Sequence, residues 1–377
     1  MNKETFCSFP FDTIFLGADS GVKTCCSART DLGNLNNNSI ETILNSNTAQ
    51  SVRDSIINNQ WHPQCSQCKE IELMGGRSER STNVENNYDS YVPIQLDKTY
   101  FKLKKLDLRW SNTCNLACNY CYEYFSSQWS NIKGIKINTL QEDNQESLFL
   151  YIEKNKDFVT DINLLGGEPF LQKQNSRLIT ILKDKKYYVL TNLALPLHNN
   201  KIANQIIEEP NADWGVSFET VGSRYNYVRH NASWDQFVKN IEYVKGRKPS
   251  LIFNAHPLYC AYSAFNLIEF YDFITANTMF TDVYWCVIQN IDGLNVFTLS
   301  KDLRLKAIEE IERCRLKYPD ASGIDHLIDI KTRLIESLDN GVDKNSHFVK
   351  WTNDIEKQLS NKEFTFKELW PELSKSL

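Results

Sequence analysis

The sequence predicts an α/β protein: a partial, TIM-like (β/α)6 barrel with a cysteine-rich domain before it and a helical extension after it. Three observations point there. From about residue 100, short β-rich runs alternate with longer amphipathic ones, which implies right-handed βαβ crossovers and a parallel sheet. Residues 1–98 are instead rich in Asn, Ser and Cys and poor in long apolar runs, and after residue 300 the pattern is mostly helical. At roughly 100–200 residues per domain, 377 residues accommodate units at 1–98, 99–299 and 300–377.

In chain order, residues 1–98 carry Cys7, Cys25, Cys26, Cys65 and Cys68. With so few apolar runs this segment is expected to struggle to build its own core, and a metal would supply the missing cross-links. The strand candidates are KLDLRWS (105–111), DINLLGG (161–167), YYVLTNL (187–193), WGVSFET (214–220), SLIFNAHP (250–257) and DVYWCVIQ (282–289). Helical periodicity fills the gaps in LQEDNQESLFLYIEK, SRLITILKDKK, KIANQIIEE, SWDQFVKNIEYVKG and AFNLIEFYDFITAN. The fourth opens with Ser233 and has Gln236 three residues on, the reciprocal capping-box arrangement. Six such units curl into an open barrel whose loops at the strands' C-terminal ends are free for chemistry. The tail, DLRLKAIEEIERCRLKY and two weaker segments ending in ELWPELSKSL, reads as covering structure.

The formal net charge of -5 comes from 42 basic and 47 acidic residues spread along the chain, so nothing argues for a nucleic-acid partner. The start, MNKETFCSFP, lacks the apolar stretch of a secretory signal, and no run approaches the ~18 apolar residues of a membrane span. The expectation is a cytoplasmic protein without a membrane partner. Eleven cysteines, an odd number, then argue for metal or catalysis rather than disulfides.

CNLACNYCYEY (114–124) places Cys114, Cys118 and Cys121 within eight residues, in a loop at the functional end of the first barrel strand. Three thiolates are one fewer than an iron–sulfur cube or a structural zinc takes, so one iron would stay open to a small ligand. A chance cysteine cluster, or a zinc knuckle borrowing a fourth ligand, is the plain alternative. Gly166-Gly167-Glu168-Pro169 ends the second strand, Thr191-Asn192 the third and Val216-Ser217-Phe218-Glu219 the fourth, with Arg229 following in YNYVRHNASW.

CxxxCxxC with an aromatic residue, Tyr120, before its last cysteine, and GGEP one strand later, resembles the signature of radical S-adenosylmethionine (SAM) enzymes. The resemblance implies a four-iron, four-sulfur (4Fe-4S) cluster on Cys114, Cys118 and Cys121, with SAM on the fourth iron. An electron from the cluster, delivered by a donor such as flavodoxin or ferredoxin, would cleave SAM to methionine and a 5'-deoxyadenosyl radical that takes a hydrogen atom from substrate. Tyr120 would pack near the adenine, Gly166 and Gly167 would let backbone approach SAM, and Glu168 would meet its amino group. Ser217 would bond the ribose and Arg229 the SAM carboxylate. Thr191-Asn192 stands where the family often has Thr-Asn-Gly, with Leu193 replacing the glycine; Glu219 replaces an aspartate and reaches further. Asn254, at the end of the fifth strand, is a further candidate.

The segment around FCSFPFDTIFLGADSGVKTCC and the CxxC at Cys65 and Cys68 is similar to the auxiliary-cluster module of radical SAM proteins, the SPASM or shorter twitch type. That module usually follows the barrel; here it precedes it, and the resemblance covers residues 1 to about 300. It implies four ligands: Cys7, one of the Cys25 and Cys26 pair, Cys65 and Cys68. Adjacent residues on a strand face opposite ways, so one of the pair should ligate. The module's hairpin favours Cys25, while a glycine one position late keeps Cys26 open. A second 4Fe-4S cluster would serve structure and electron relay; a four-cysteine zinc site is the alternative.

Of the other cysteines, Cys260 near the barrel mouth is either a hydrogen-atom donor to a substrate radical or a buried hydrophobe. Cys286 inside the sixth strand and Cys314 in a helical run are expected to be buried hydrophobes. His256 is a proton donor or acceptor at the mouth, or a structural histidine. Tyr120, Tyr122, Tyr124, Phe125 and Trp129 floor the SAM pocket or a substrate groove, or pack the core. The expectation is a radical SAM enzyme that modifies a peptide or protein, with a small-molecule substrate as the alternative. A non-catalytic zinc or cluster module, the third reading, would have no use for GGEP, Ser217 and Arg229.

Overall fold

The computed structural model describes residues 2–359 and 362–374, in two compact units. One comprises Met1–Thr113, Lys136–Val189 and Glu209–Ala212; the other comprises Cys114–Ile135, Leu190–Glu208 and Asp213–Leu377.

In the first unit, Lys105–Leu108, Asp161–Leu164 and the start of Lys186–Thr191 pair in parallel, residue for residue, from Lys105↔Asp161 and Asp161↔Lys186 onward. A strand with no counterpart among the expected ones lies on the other side of Lys105–Leu108. Thr13–Leu16, buried at all four positions, pairs with it in parallel, Thr13 opposite Lys105 and Leu16 opposite Leu108. The chain then turns back through Ser20, at φ 70°, into the antiparallel strands Gly21–Lys23 and Gly33–Asn34. The N-terminal segment reaches a core by joining a sheet built largely from later residues: Phe6, Phe11, Ile14, Val22 and Val52 are fully buried. Its apolar residues arrive in runs too short to make a core alone, and they cover a sheet whose other strands come from residues 105–189.

In the second unit, Trp214–Val216 pair in parallel with Phe253–Ala255, which pair with Phe280–Val283 across a register shift after Phe253. Phe218, Phe237, Phe270 and Phe280 pack on this layer, with ring centroids 5.0–5.4 Å from Phe218. Trp234–Arg247 and Leu267–Ala276 supply the helices. Only half of the expected capping box forms: Ser233 Oγ accepts from Gln236 N at 3.3 Å, but the Gln236 amide donates to Asn240 Oδ1 at 3.0 Å, an acceptor one turn along its own helix.

Lys301–Lys317, Ile324–Asn340 and Asn345–Gln358 form the helical C-terminus, after which Phe366 stacks on Trp370 at 4.9 Å. The expected class holds: strands and helices alternate, the core strands run parallel, and the described strands do not close a barrel. Among the described residues no helix is long and apolar enough to cross a membrane.

The sixth expected strand is a correction. It stops at Val283, Trp285 turns inward to bond Tyr271 OH through Nε1 at 3.1 Å, and Cys286–Val287 pair separately with Leu258–Tyr259. Cys286 thereby ends up exposed rather than buried, because Trp285 takes the inward position beside it. Cys314 is fully buried.

Candidate functional site

The CxxxCxxC loop belongs to the second unit. Its middle, Ala117–Cys118, forms a two-residue antiparallel ladder with Arg229–His230, Cys118 facing Arg229. The loop's backbone is well used: Asn119 N donates to Val228 O at 2.8 Å, Cys121 N to Cys118 O at 2.9 Å, Ser126 Oγ to Leu116 O at 2.6 Å, and Trp129 Nε1 to Cys118 O at 2.9 Å. Cys114, Leu116 and Cys118 pack together, with Tyr120 and Cys121 against them. Among the described residues no three His, Cys, Asp or Glu side chains approach closely enough to hold one metal ion. Thiolates on a single zinc sit about 2.3 Å from the metal; a four-iron cluster is a larger body and takes more widely spread sulfurs.

Burial pushes the Cys118 thiol up and that of Cys121 up to about 12, while the Arg229 charge opposes both shifts. Such thiols keep their protons until a group rich in positive charge compensates the thiolates, as iron does on binding.

Arg229 is the charged centre beside the loop. Its Nη2 donates to Glu219 Oε2 at 2.7 Å with both side chains almost wholly buried, and Tyr120 OH donates to the same carboxylate oxygen at 3.2 Å. The guanidinium also lies over the Tyr120 ring, 5.6 Å from its centroid. Glu219 thus orients Arg229 and Tyr120. Arg229 Nε is buried without a hydrogen-bond partner among the described residues, a donor left over for an anion.

The Thr191-Asn192 turn meets the same loop. Asn192 Nδ2 donates to Asn115 Oδ1 at 2.9 Å and lies 3.9 Å from Cys114 Sγ. Leu193 stands at φ 53°, so the backbone keeps a glycine-like conformation although the residue is leucine. Its N–H donates to Thr191 Oγ1 at 3.0 Å, and its carbonyl accepts from Asn240 Nδ2 at 2.7 Å. Ser217 N donates to Thr191 O at 2.9 Å, which sets Ser217 next to that turn, just past the end of its strand.

Other candidates fall away from the loop or into packing. Asn254 accepts from Thr281 Oγ1 at 3.4 Å, on the strand face opposite the buried Phe253 and Ala255. Cys260 is fully buried, its thiol pushed up to about 12 by burial and by the Glu219 charge. Burial lowers His256 to about 4, which keeps it neutral near pH 7 and able to accept a proton bond but not to carry a charge. Trp129 is core, packed with Ala117, Ile355 and Leu359. Tyr122 is exposed, and Tyr124 and Phe125 stack edge to face at 4.8 Å.

GGEP belongs to the first unit, against the backbone of residues 111–113. Gly166 stands at φ 121°, and a Cβ at Gly167 would lie 2.3 Å from Thr113 O and 2.6 Å from Asn112 O. Only glycine lets this turn lie so close, so the pair is explained by contact with protein backbone. Glu168 N donates to Thr113 O at 2.8 Å, and its buried carboxylate accepts from Phe170 N at 3.3 Å.

Also in the first unit, Cys7, Cys25, Cys65 and Cys68 line one cavity together with Arg80. Cys26 does not line it and is exposed. The pair lies in a turn beyond the strand Gly21–Lys23, so the turn, not strand alternation, separates the two thiols. Cys65 precedes the helix Ser66–Leu73 and Cys68 lies on its first turn. Burial pushes Cys25 up to about 12 and Cys65 up to about 11, each further raised by a neighbouring cysteine, while Arg80 opposes the shift at Cys65. Gln64 Oε1 and Thr5 Oγ1, from residues that line the same cavity, are buried without partners among the described residues.

Sequence reasoning missed Arg80, Asn119 and Lys362. Lys362 Nζ donates to Asn119 Oδ1 at 3.0 Å and to Tyr227 O. A lysine 243 positions from its partner carries no local signal.

Residues 108–274 match the radical SAM superfamily, and residues 7–69 match an iron–sulfur cluster-binding domain, SPASM. The second description stands against the zinc reading of the N-terminal cysteines. No curated protein matches the chain. Among solved structures, Streptococcus suis SuiB bound to precursor peptide SuiA is 16% identical, with 69% of this chain and 60% of that one covered at a TM-score of 0.43. anSMEcpe with bound AdoMet and a Kp18Cys peptide is 14% identical, with 56% and 61% covered at 0.41. The match spans about three fifths of the length of these proteins.

Proposed function

Because the chain carries a radical SAM domain with an iron–sulfur cluster-binding domain ahead of it, we propose that it is an enzyme that cleaves SAM reductively and takes a hydrogen atom from a peptide or protein substrate. The observation that carries the reading is the ladder that sets Arg229, with its spare Nε–H, opposite Cys118. The two domains imply a catalytic 4Fe-4S cluster, SAM and an auxiliary iron–sulfur cluster. We assign Cys114, Cys118 and Cys121 to the first and Cys7, Cys25, Cys65 and Cys68 to the second. When bound, the reduced cluster supplies the electron that breaks SAM, and the resulting radical does the hydrogen abstraction.

The chain's own residues bind and orient. Arg229 offers its free donor to the SAM carboxylate while Glu219 fixes the guanidinium's plane, and Tyr120, pinned by the same carboxylate, presents its ring to the adenine. Ser217 is assigned to the ribose, and Thr191-Asn192 to the turn that supports Cys114. The auxiliary domain supports the peptide or protein substrate and an electron relay from a flavodoxin- or ferredoxin-like donor.

The test is anaerobic reconstitution with iron and sulfide, then dithionite, SAM and assay of 5'-deoxyadenosine. About eight irons per chain are expected for two cubes, with 5'-deoxyadenosine formed. Cys118→Ala is expected to lose about four irons and all product; unchanged product from that variant would overturn the assignment.

A further inference from the structure

Lys362 sits in the C-terminal extension, a part of the chain to which nothing in the sequence assigns a task. Its ammonium is half-buried and rests on neutral groups: Asn119 Oδ1 at 3.0 Å, the Tyr227 carbonyl and the Tyr227 ring, 4.1 Å from its centroid. Among the described residues no carboxylate pairs with it, and Glu356 acts on it only from further off. A cation drawn partly out of water without a counter-ion is costly, and an anion meeting it would offset that cost.

The anion is missing from the polypeptide but implied by it. Asn119 lies between Cys118 and Cys121 and is fully buried. An ammonium only donates, so Lys362 fixes the amide oxygen toward itself and leaves Asn119 Nδ2 as the other end. That Nδ2 has no partner among the described residues. An orphaned cation and an orphaned donor thus converge on one cysteine loop.

On the reading that Cys114, Cys118 and Cys121 hold a cluster, we propose that Lys362 is its counter-charge and positioning residue, acting through Asn119. A cluster bound by three thiolates becomes more negative on reduction, so a fixed positive charge beside it stabilises the reduced state and raises the potential. The helix Asn345–Gln358 sets the lysine's place: Ile355, and Leu359 just past its end, pack on Ala117 and Trp129, and Trp129 bonds the Cys118 carbonyl.

The test is a redox titration of the full-length, reconstituted protein followed by electron paramagnetic resonance, with the loop cluster identified as the signal that SAM perturbs. Lys362→Met is expected to make one-electron reduction about tenfold less favourable, a downward shift of about 59 mV. Lys362→Arg, which keeps the charge, is expected to stay near the wild-type potential. Should the Met variant load no iron, Lys362→Gln, neutral but able to bond Asn119, is expected to show the same downward shift. An unchanged potential in the neutral variants, or an equal shift in Lys362→Arg, would overturn the inference. A wild-type chain that takes up iron, yet whose SAM-perturbed signal survives in Cys118→Ala, would instead sink the assignment of the loop as the cluster's seat.

Discussion

Leu193 shows two residue-scale effects in competition. Its left-handed backbone costs roughly 1–2 kcal/mol, which glycine would remove. But the side chain is fully buried, and emptying a buried leucine site costs about 2–5 kcal/mol. Leu193→Gly is therefore expected to destabilise the protein by about 2 kcal/mol despite relieving strain, read as a lower midpoint in urea. A more stable variant would mean the turn is strained beyond what packing returns. His256 gives a second prediction at this scale. Burial lowers it from 6.5 to about 4, so the fold favours the neutral ring. Its contribution is complete above pH 6.5 and is lost as pH falls toward 4, where the unfolded chain binds the proton first. Allowing for its partial exposure, the loss is about 2 kcal/mol, and His256→Gln is expected to flatten that part of a stability-against-pH curve.

At the scale of elements, the turn after Gly21–Lys23 decides which of two adjacent cysteines faces the N-terminal cavity. Cys25→Ser is expected to release the auxiliary cluster's iron, about half the total, whereas Cys26→Ser keeps it. Iron content after reconstitution checks both, and equal losses would show that the turn rearranges on loading. The sequence read this pair as strand neighbours and reached the same thiol by a different route. Helices were the most legible elements, because a period of 3.6 persists over a dozen residues in Trp234–Arg247 and Lys301–Lys317. Thr13–Leu16 was invisible because four residues buried in a row carry no period, and Val283 ended its strand early because Trp285 found a better place inward.

For the whole molecule, seven cysteines bear high thiol proton affinity or deep burial that iron would have to overcome, in two separate groups. Loading should therefore raise the melting temperature in two increments, one abolished by Cys118→Ala and the other by Cys65→Ala, each measurable by calorimetry on the anaerobic protein. A melt indifferent to iron would count against both assignments. The motifs were legible because chemistry fixes their spacing: Cys114, Cys118 and Cys121 are read from the sequence alone. Glu219 as partner of Arg229, across one short helix, and Lys362 as partner of Asn119, 243 positions away, were not, since both depend on how the fold brings the segments together.

The parallel pairing of Thr13–Leu16 with Lys105–Leu108 has a consequence for the protein's birth on the ribosome. A hairpin forms locally, but this strand has no neighbour on that side until some ninety further residues have been made. At 5–20 residues per second, that is a wait of roughly 5–20 s. Closing so long a loop also slows the search itself. Cys7 and Cys25 flank the waiting strand, and every residue that lines their cavity lies within positions 5–80, so all four cysteines of that site are made before the strand's partner arrives.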